Sequence, residues 1–258
     1  MDVRVFRMIV TFTDFGIEGP YLGQMRASLT RLAPGVPIID LMVDVPAFDV
    51  QAAAYLLPAV MKPLAADTVC LAVVDPGVGG DRLPVILRAD EHWFVGPDNG
   101  LFELLARRAR TPPEWWEITW RAETLSASFH GRDLFAPVAA RIAAEGREGV
   151  KAVASPCHPD RRPYAVWPDD LAQVIYIDGY GNCMLGVRWE KLGPAPEIRI
   201  GANHLPVART FSDVSPGSPF CYENALGLAE IAVNKGNAAA LLGLRPGSQV
   251  SVRELSGK

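Results

Sequence analysis

Three continuous apolar runs in the first half of the chain constrain its fold most strongly. They read MIVTFT at 8–13, PIIDLMV at 37–43 and TVCLAVVD at 68–75. Between them, residues 20–33 and 49–61 repeat apolar side chains at the spacing of one helix face. Strands without alternation are typical of strands buried on both faces, as in parallel sheets covered by helices. The pattern therefore predicts an α/β domain with a mainly parallel sheet.

The rest of that half extends the same domain. Residues 83–89 and 92–96 predict two antiparallel neighbours joined by a tight turn. A helix is expected at 98–109, a strand at 115–120 and a further helix at 133–145.

The composition changes near residue 150. Residues 151–170 are rich in proline and charge and have no periodicity, which is typical of a linker. Five short alternating runs separated by glycine and proline turns follow: AQVIYID, NCMLGVRW, PEIRI, HLPVART and LAEIAV. We therefore expect an N-terminal α/β domain over 1–150, a linker, and a smaller C-terminal antiparallel β domain over 171–258.

Charge and hydropathy argue against two classes of partner. The net charge of −4 disfavours a general nucleic-acid binder, which needs a basic face toward the phosphates. No apolar run approaches the length of a membrane span, and the N-terminus enters a strand pattern without signal-peptide features. The four cysteines lie far apart and form no CxxC motif. Reduced thiols and a cytoplasmic location are therefore the expectation.

Carboxylates follow all three apolar strands. Asp14 ends the first, Asp44 the second and Asp75 the third. In open α/β sheets, ligands bind beyond the carboxyl ends of the parallel strands. A single aspartate there is often a helix cap or a turn residue, which is the favoured interpretation of Asp44. No GxGxxG motif follows the first strand, and the PGVGG loop lacks the Lys-Ser/Thr of a P-loop, so phosphate binding is not supported.

The stretch VVDPGVGGDRLPVILR adds an opposite charge to the third strand end. It carries Asp75 at the end of the strand and brings Arg82 back from the loop. The pair is either an exposed loop salt bridge of small energetic value or part of a site. His130, in SASFHGRDLF, precedes a helix and is a candidate for the same edge of the sheet. A metal site is disfavoured because the sequence has no HExxH motif and no clustered histidines.

Glycine turns in the second half hold the other candidates. IDGYGN contains Asp178, Tyr180 and Asn182, and it is either a plain hairpin turn or a binding loop. In the second case it offers an aromatic face, an amide and a carboxylate, which suit a purine base and an ammonium group. The stretch YENALGLAEIAVNKGNAA adds a loop with Asn224 and a tight turn before Ala238.

Seven motifs carry a family resemblance over almost the whole chain. In order they read TFTDFG, GPYLGQM, VVDPGVGG, FVGPDNGLF, FHGRDLFAPVAA, IDGYGN and GNAA. Together they closely resemble the S-adenosylmethionine (SAM) hydroxide adenosyltransferases, which are adenosine-forming SAM hydrolases sharing their fold with fluorinase and chlorinase. The resemblance implies hydrolysis of SAM to adenosine and L-methionine without a metal or cofactor. It also implies a homotrimer with each SAM site between the N-terminal domain of one subunit and the C-terminal domain of the next.

The resemblance assigns roles to residues of the N-terminal half. Asp75, Arg82 and His130 match the Asp-Arg-His group that handles the attacking water. Asp14 matches the aspartate that holds the ribose hydroxyls, and Phe48 stands where an aromatic side chain packs beside the ribose.

In the second half the resemblance assigns the rest of the substrate. Asp178 matches the acid that binds the methionine ammonium group, and Tyr180 and Asn182 match residues near the adenine and its sugar. Ala238 falls in the turn whose backbone contacts the adenine edge. Asn224 is a further candidate for substrate binding.

Two departures from the family pattern bear on the reaction. The family commonly has a serine in an NSxG motif that contacts the methionine carboxylate, whereas this chain reads NALG with Ala225. That contact is then weaker or made by the backbone. The halogenating relatives carry a long insertion after the strand equivalent to VILR, which this chain lacks. The missing insertion and the presence of both Asp75 and Arg82 favour hydrolysis over a halide-dependent adenosyltransferase. A SAM- or adenosine-binding sensor with negligible turnover is the other alternative, and product analysis would separate it from a hydrolase.

Overall fold

The apolar runs of the first half form one seven-stranded mixed sheet. A computed structural model of the chain describes residues 7–157, 164, 166–194 and 196–253. The strands lie in the order β2-β1-β3-β5-β4-β6-β7. Their bounds are Ile9–Thr13 for β1, Ile38–Met42 for β2, Val69–Val73 for β3, Pro84–Ala89 for β4, His92–Pro97 for β5, Glu114–Ile118 for β6 and Ala154–Pro156 for β7.

Parallel pairing is confined to one half of this sheet. β1 pairs in parallel with β2 and β3, and β3 with β5. The pairings of β4 with β5 and β6, and of β6 with β7, are antiparallel. Every residue of β1 and β3 is buried, as continuous apolar strands require. The predicted α/β class is confirmed, with a sheet that is mixed because the hairpin strands continue it on one side.

Five helices accompany this sheet in the described part of the chain: α1 (Tyr21–Leu32), α2 (Val50–Met61), α3 (Glu103–Arg108), α4 (Ala136–Glu145) and α5 (Arg147–Val153). Met25 and Leu29 of α1 are fully buried in the same apolar cluster as the buried face of α4. A wide π-type turn, Gly131–Phe135, leads into α4. Such turns are rare and often lie at functional sites.

The helix predicted at 98–109 begins later than expected. Its helical part starts at Glu103, and residues 98–102 form a turn instead. The Asn99 side chain donates to the Val74 carbonyl oxygen at 2.8 Å and accepts from the Leu101 amide at 3.3 Å. Gly100 has a φ of 102°. A side chain that bonds nearby backbone competes with helix formation, which explains the shorter helix.

Part of the predicted linker is regular structure. Residues 151–153 end α5, and β7 follows at 154–156 and pairs with β6. Val150 and Val153 are buried, so the apolar pattern continues past the predicted boundary. Positions 158–163 and 165 of the linker, and residues 1–6 at the N-terminus, lie outside the described residues. The domain boundaries stay a prediction.

The chain divides into two compact units. The first comprises Met1–Leu57 and Pro63–Val166, and the second Pro58–Lys62 and Trp167–Lys258. The second unit contains a four-stranded antiparallel sheet in the order β12-β13-β9-β8: β8 (Leu171–Ile177), β9 (Cys183–Arg188), β12 (Pro219–Glu223) and β13 (Leu228–Val233). A three-stranded antiparallel sheet has the order β11-β10-β14: β10 (Glu197–Ile200), β11 (Asn203–Leu205) and β14 (Ser251–Arg253).

These sheets confirm the predicted antiparallel β domain and correct its details. β11 ends at Leu205 because Pro206, which has no amide hydrogen, cannot continue the ladder, so the strand predicted at 204–210 is mostly loop. The tight turn predicted before Ala238 is present at residues 234–235, and a short helix, α6 (Ala238–Leu242), follows it. All four cysteines are free thiols. No helix in the described residues has the length and apolar character that crossing a membrane would require.

Gly96 of β5 offers a test of the sheet packing. A Cβ atom there would lie 2.2 Å from the Ala72 carbonyl oxygen and 3.0 Å from Phe102 Cζ. We expect Gly96→Ala to lower the free energy of unfolding by about 3 kcal/mol, measured by urea denaturation. Gly23→Ala is the matched control, because a Cβ at this position in α1 meets no atom within 4 Å. It should raise stability by about 1 kcal/mol. Equal effects of the two changes would contradict the assigned packing.

Candidate active site

A cavity of about 280 Å³ lies at the carboxyl ends of β1 and β3. Four of the five residues predicted in the N-terminal half line it: Asp14, Phe48, Asp75 and His130. The fifth, Arg82, contacts two of them. The structure thus brings these residues together, at the edge of the sheet that the strand ends predict. Asp44 is exposed and is not among the lining residues.

Asp75, Arg82 and His130 form one connected group. Arg82 Nε donates to Asp75 Oδ1 at 3.1 Å and to Oδ2 at 3.0 Å, and Nη2 donates to Oδ2 at 2.5 Å. The Arg82 Nη2 atom also lies 2.8 Å from His130 Nδ1. The side chains of Asp75 and Arg82 are only 4% and 10% exposed. The pair is therefore a shielded, bidentate ion pair rather than an exposed loop salt bridge.

The PGVGG loop allows this approach. Gly79 has a φ of 79°, and a Cβ atom there would lie 2.6 Å from the Ala127 carbonyl oxygen. The loop after β3 therefore packs directly on the segment that leads to His130. His130 in turn stands immediately before the π-type turn that opens α4. A glycine at position 79 is what lets the two segments come close enough for Arg82 to reach His130.

The protonation state of His130 follows from this contact. A guanidinium group can only donate, so Nδ1 of His130 accepts from Arg82 and the neutral ring carries its proton on Nε2. Burial and the nearby Arg82 charge lower the pKa of His130 below its ordinary value, against the opposing effect of Asp75. At neutral pH His130 is a neutral donor through Nε2.

Asp14 is a second carboxylate in the same cavity. Its Oδ2 accepts from the Phe48 amide at 3.0 Å, and Phe48 has a φ of 63°. Burial raises the pKa of Asp14, with a further contribution from the charge of Asp75. The Phe48 ring is 75% exposed at the rim of the cavity. Two carboxylates and an uncovered aromatic ring favour a ligand with positive charge and an apolar face.

A second cavity, of about 740 Å³, lies within the C-terminal unit. It is lined by four predicted residues, Asp178, Tyr180, Asn182 and Asn224, together with Ala225. The fifth prediction, Ala238, is fully buried at the start of α6 and is not among the lining residues. Its turn is nevertheless adjacent, because Lys235 and Gly236 line the cavity.

Asp178 organises the IDGYGN turn. Its Oδ1 accepts from the amides of Tyr180 and Asn182, both at 2.9 Å, and its Oδ2 accepts from Asn182 Nδ2 at 2.9 Å. Tyr180 is left 81% exposed. Gly181 packs so tightly on Asn237 that a Cβ atom there would lie 2.1 Å from Asn237 Cγ. The turn is thus a fixed structure, with one carboxylate oxygen still able to accept another donor.

Sequence reasoning missed Glu230 and Tyr222. Both line the C-terminal cavity, and the Tyr222 hydroxyl donates a hydrogen bond to Glu230 Oε1. Burial raises the pKa of Glu230, and the charge of Asp178 adds to the shift. The sequence does contain a signal for Glu230, because it is the one acidic residue in the otherwise apolar run LAEIAV.

Among the described residues, no group of three or more His, Cys, Asp or Glu side chains is placed to hold a metal ion.

Two family models cover most of the chain. The SAM hydroxide adenosyltransferase N-terminal domain matches residues 9–151, and the SAM hydroxide adenosyltransferase C-terminal domain matches residues 172–251. These matches include both cavities and every predicted site residue.

Relatives with known names and structures agree with the family models. An (R)-S-adenosyl-L-methionine hydrolase of Thermus thermophilus is 37% identical, and the match covers 95% of this chain and 98% of that protein. A protein of the same name from Salinispora tropica is also 37% identical, over 93% of this chain and 95% of its own. The crystal structure of an uncharacterized conserved protein from Thermotoga maritima superposes with a TM-score of 0.85 at 29% identity, covering 95% of this chain and 99% of that chain. The chain belongs to the SAM hydroxide adenosyltransferase family.

Proposed function

We propose that this protein hydrolyses SAM to adenosine and L-methionine by attack of a water-derived oxygen on the ribose 5′ carbon. The observation that carries the proposal is the shielded Asp75–Arg82–His130 group beside a cavity with a second carboxylate. Curated relatives named (R)-S-adenosyl-L-methionine hydrolase support it. So does the uninterrupted passage from β4 to β5, because the halogenating relatives are expected to carry an insertion there.

The difficult part of this reaction is the nucleophile. The sulfonium of SAM makes methionine a good leaving group, so no general acid is needed at the departing sulfur. Water is a weak nucleophile, and hydroxide is scarce at neutral pH. The site therefore has to hold the oxygen in line with the 5′ carbon and favour its deprotonated form.

The three side chains of Asp75, Arg82 and His130, called the trio below, can hold and deprotonate a water through their hydrogen bonds. His130 Nε2–H is a donor aimed away from Arg82, and Asp75 Oδ1 accepts only one hydrogen bond from Arg82. A water between them can donate to Asp75 and accept from His130. Asp75 then acts as the acceptor for the water proton, while Arg82 holds Asp75 and His130 in place.

Charge favours the same step. At about 4 Å and an effective dielectric constant of ~20, one positive charge stabilises hydroxide by roughly 4 kcal/mol, or three decades in rate. Asp75 offsets part of the Arg82 charge, so the contribution of Arg82 lies below that figure. Hydroxide and sulfonium neutralise one another in the transition state, which a water-poor cavity favours over the separated ions.

The remaining predicted residues would bind the substrate. In this proposal Asp14 accepts from the ribose hydroxyls and Phe48 packs beside the sugar. Asp178 binds the ammonium group through Oδ2, and Tyr180 and Asn182 lie near the adenine and its sugar. The GNAA turn beginning before Ala238 contacts the adenine edge through its backbone. No metal or cofactor takes part.

We further propose a homotrimer in which each SAM molecule is held by residues from two subunits. Phe48 and Tyr180 are 75% and 81% exposed at the rims of their cavities, as expected for surfaces that a ligand and a neighbouring subunit would cover. A cytoplasmic location is also proposed, because four free thiols fit a reducing compartment.

Product analysis tests the proposed reaction. Incubation with SAM in water labelled with heavy oxygen should give adenosine with the label on its 5′ hydroxyl and unlabelled methionine. Retention of intact SAM without adenosine would support a binding sensor instead. A 5′-halo-adenosine that appears only with added chloride would support a halide-dependent transferase.

Kinetics of the trio variants test the assignment of roles. Asp75→Ala, Arg82→Ala and His130→Ala should each lower kcat about a hundredfold or more, because each removes part of the group that holds the nucleophile. KM for SAM should stay within about threefold, since these side chains contact the attacking oxygen rather than the substrate. Arg110→Ala is the control, because Arg110 is an exposed arginine paired with Asp90. Normal turnover in two of the three variants would contradict the assignment.

The charge relation between Arg82 and His130 is measurable without turnover. Replacing Arg82 with methionine removes a charge that opposes protonation of His130, so the pKa of His130, followed by NMR, should rise toward or above 6.5. In the unmodified protein, unfolded His130 binds its proton near pH 6.5 and folded His130 only at lower pH. Folding stability is therefore lost as the pH falls through that interval, and Arg82→Met should reduce the loss. Arg110→Met should leave the pKa of His130 unchanged.

A further inference from the structure

Glu230 is an ionisable side chain inside an otherwise apolar strand. Every residue of β13 is buried, and Glu230 is 2% exposed. Both of its oxygens have partners, the Tyr222 hydroxyl on Oε1 and Asn224 Nδ2 on Oε2 at 2.8 Å. Burying a carboxyl group costs free energy, and hydrogen bonds only offset that cost. An apolar residue at this position would be at least as stable, so the hydrogen bonds of Glu230 point to a role other than stability.

The contact with Asn224 fixes the orientation of that amide. With Nδ2 on Glu230, the Asn224 Oδ1 atom accepts from the Leu226 amide at 2.9 Å and from the Leu228 amide at 3.0 Å. The Gly227 amide donates to the Asn224 carbonyl oxygen at 2.9 Å, which closes a β-turn over residues 224–227. Asn224 thus holds the whole turn, and Glu230 sets which way Asn224 points.

The turn contains one backbone donor without an acceptor among the described residues. Ala225, its second residue, lines the cavity, and the Ala225 amide has no hydrogen-bond acceptor among the described residues. The Ala225 side chain offers no hydroxyl. A ligand anion at this turn would therefore meet a backbone N–H group rather than a side-chain donor.

We propose that Glu230 is a positioning residue that acts through Asn224 to hold the Ala225 N–H against the carboxylate of the substrate's amino-acid moiety. This inference rests on the proposed function, because it assumes that the C-terminal cavity binds the amino-acid end of SAM. Asp178, in the same cavity, then binds the ammonium group. The ammonium group and the carboxylate are thus bound by two different turns, IDGYGN and residues 224–227.

Lys235 is the competing group for the carboxylate. It lines the same cavity and forms no ion pair with a described residue. If Lys235 binds the carboxylate, the turn at 224–227 is only structural. The experiment therefore has to separate the two.

The test compares SAM with the SAM analogue that lacks the carboxyl group. We expect Glu230→Leu to raise KM and Kd for SAM about tenfold, the loss of roughly one charge-assisted hydrogen bond, with kcat nearly unchanged. The analogue should bind both proteins equally. Glu230→Gln should behave as the unmodified protein, because its oxygen can still accept from Asn224 and its amide can donate to the Tyr222 oxygen.

A second variant removes the donor itself. Ala225→Pro has no amide hydrogen, and proline is favoured at the second position of such a turn, so the turn should persist. It should weaken SAM about tenfold and leave the analogue unaffected. Glu190→Leu, at an exposed glutamate of the same unit, is the matched control for loss of a carboxyl group and should change neither ligand.

Two outcomes would overturn the proposal. One is an equal loss of affinity for both ligands in Glu230→Leu and Ala225→Pro, which would mean a general effect on the cavity. The other is a SAM-selective loss in Lys235→Met that neither of these variants reproduces. Because Kd is measured for both ligands, the result stands even if no adenosine forms, and failure of the proposed function is then seen separately.

Discussion

The shielded ion pair between Asp75 and Arg82 is the constraint on which the N-terminal site depends. Burying two charges and pairing them rarely stabilises a fold more than apolar residues of the same size would. Breaking such a pair, however, leaves a buried charge without a partner and is strongly unfavourable. The end of β3, the glycine loop after it and the approach to His130 are therefore tied together by one bidentate contact. Its position at a cavity rather than in the core points to chemistry rather than stability.

Each cavity concentrates negative charge in its own way. Asp14 and Asp75 share the first, where burial raises the pKa of Asp14 and the charge of Asp75 adds to the rise. Asp178 and Glu230 share the second, where burial raises the pKa of Glu230 and the charge of Asp178 adds to the rise. A cationic ligand would relieve that repulsion, and the sulfonium and ammonium groups of SAM provide two positive charges. The same charges would disfavour an anionic nucleotide, in agreement with the missing phosphate-binding motifs of the sequence.

The sequence predicted what local patterns encode and missed what only packing decides. Continuous apolar runs predicted the buried strands. The acidic residues at the ends of β1 and β3 line one cavity, as expected where strand ends of a parallel sheet meet at one edge. The bond from Arg82 to His130 joins residues 48 positions apart and needed the motif resemblance to be anticipated. The early end of β11 and the late start of α3 follow from Pro206 and from the Asn99 side chain, which act one residue at a time. Glu230 was missed because its strand looks apolar as a whole.

The choice between water and a halide comes down to hydrogen-bond direction. Arg82 and His130 are donors, and donors stabilise hydroxide and halide ions alike. Water differs from a halide in that it can also donate, so only an acceptor at the nucleophile distinguishes them. In the proposed mechanism Asp75 is that acceptor, and its negative charge would repel a halide at the same position. Arg82 keeps Asp75 fixed and gives its Oδ1 only one hydrogen bond, so that this oxygen can accept another. The ion pair would then select the nucleophile as well as hold it, which gives a physical reason for an aspartate, rather than a neutral side chain, at the end of β3.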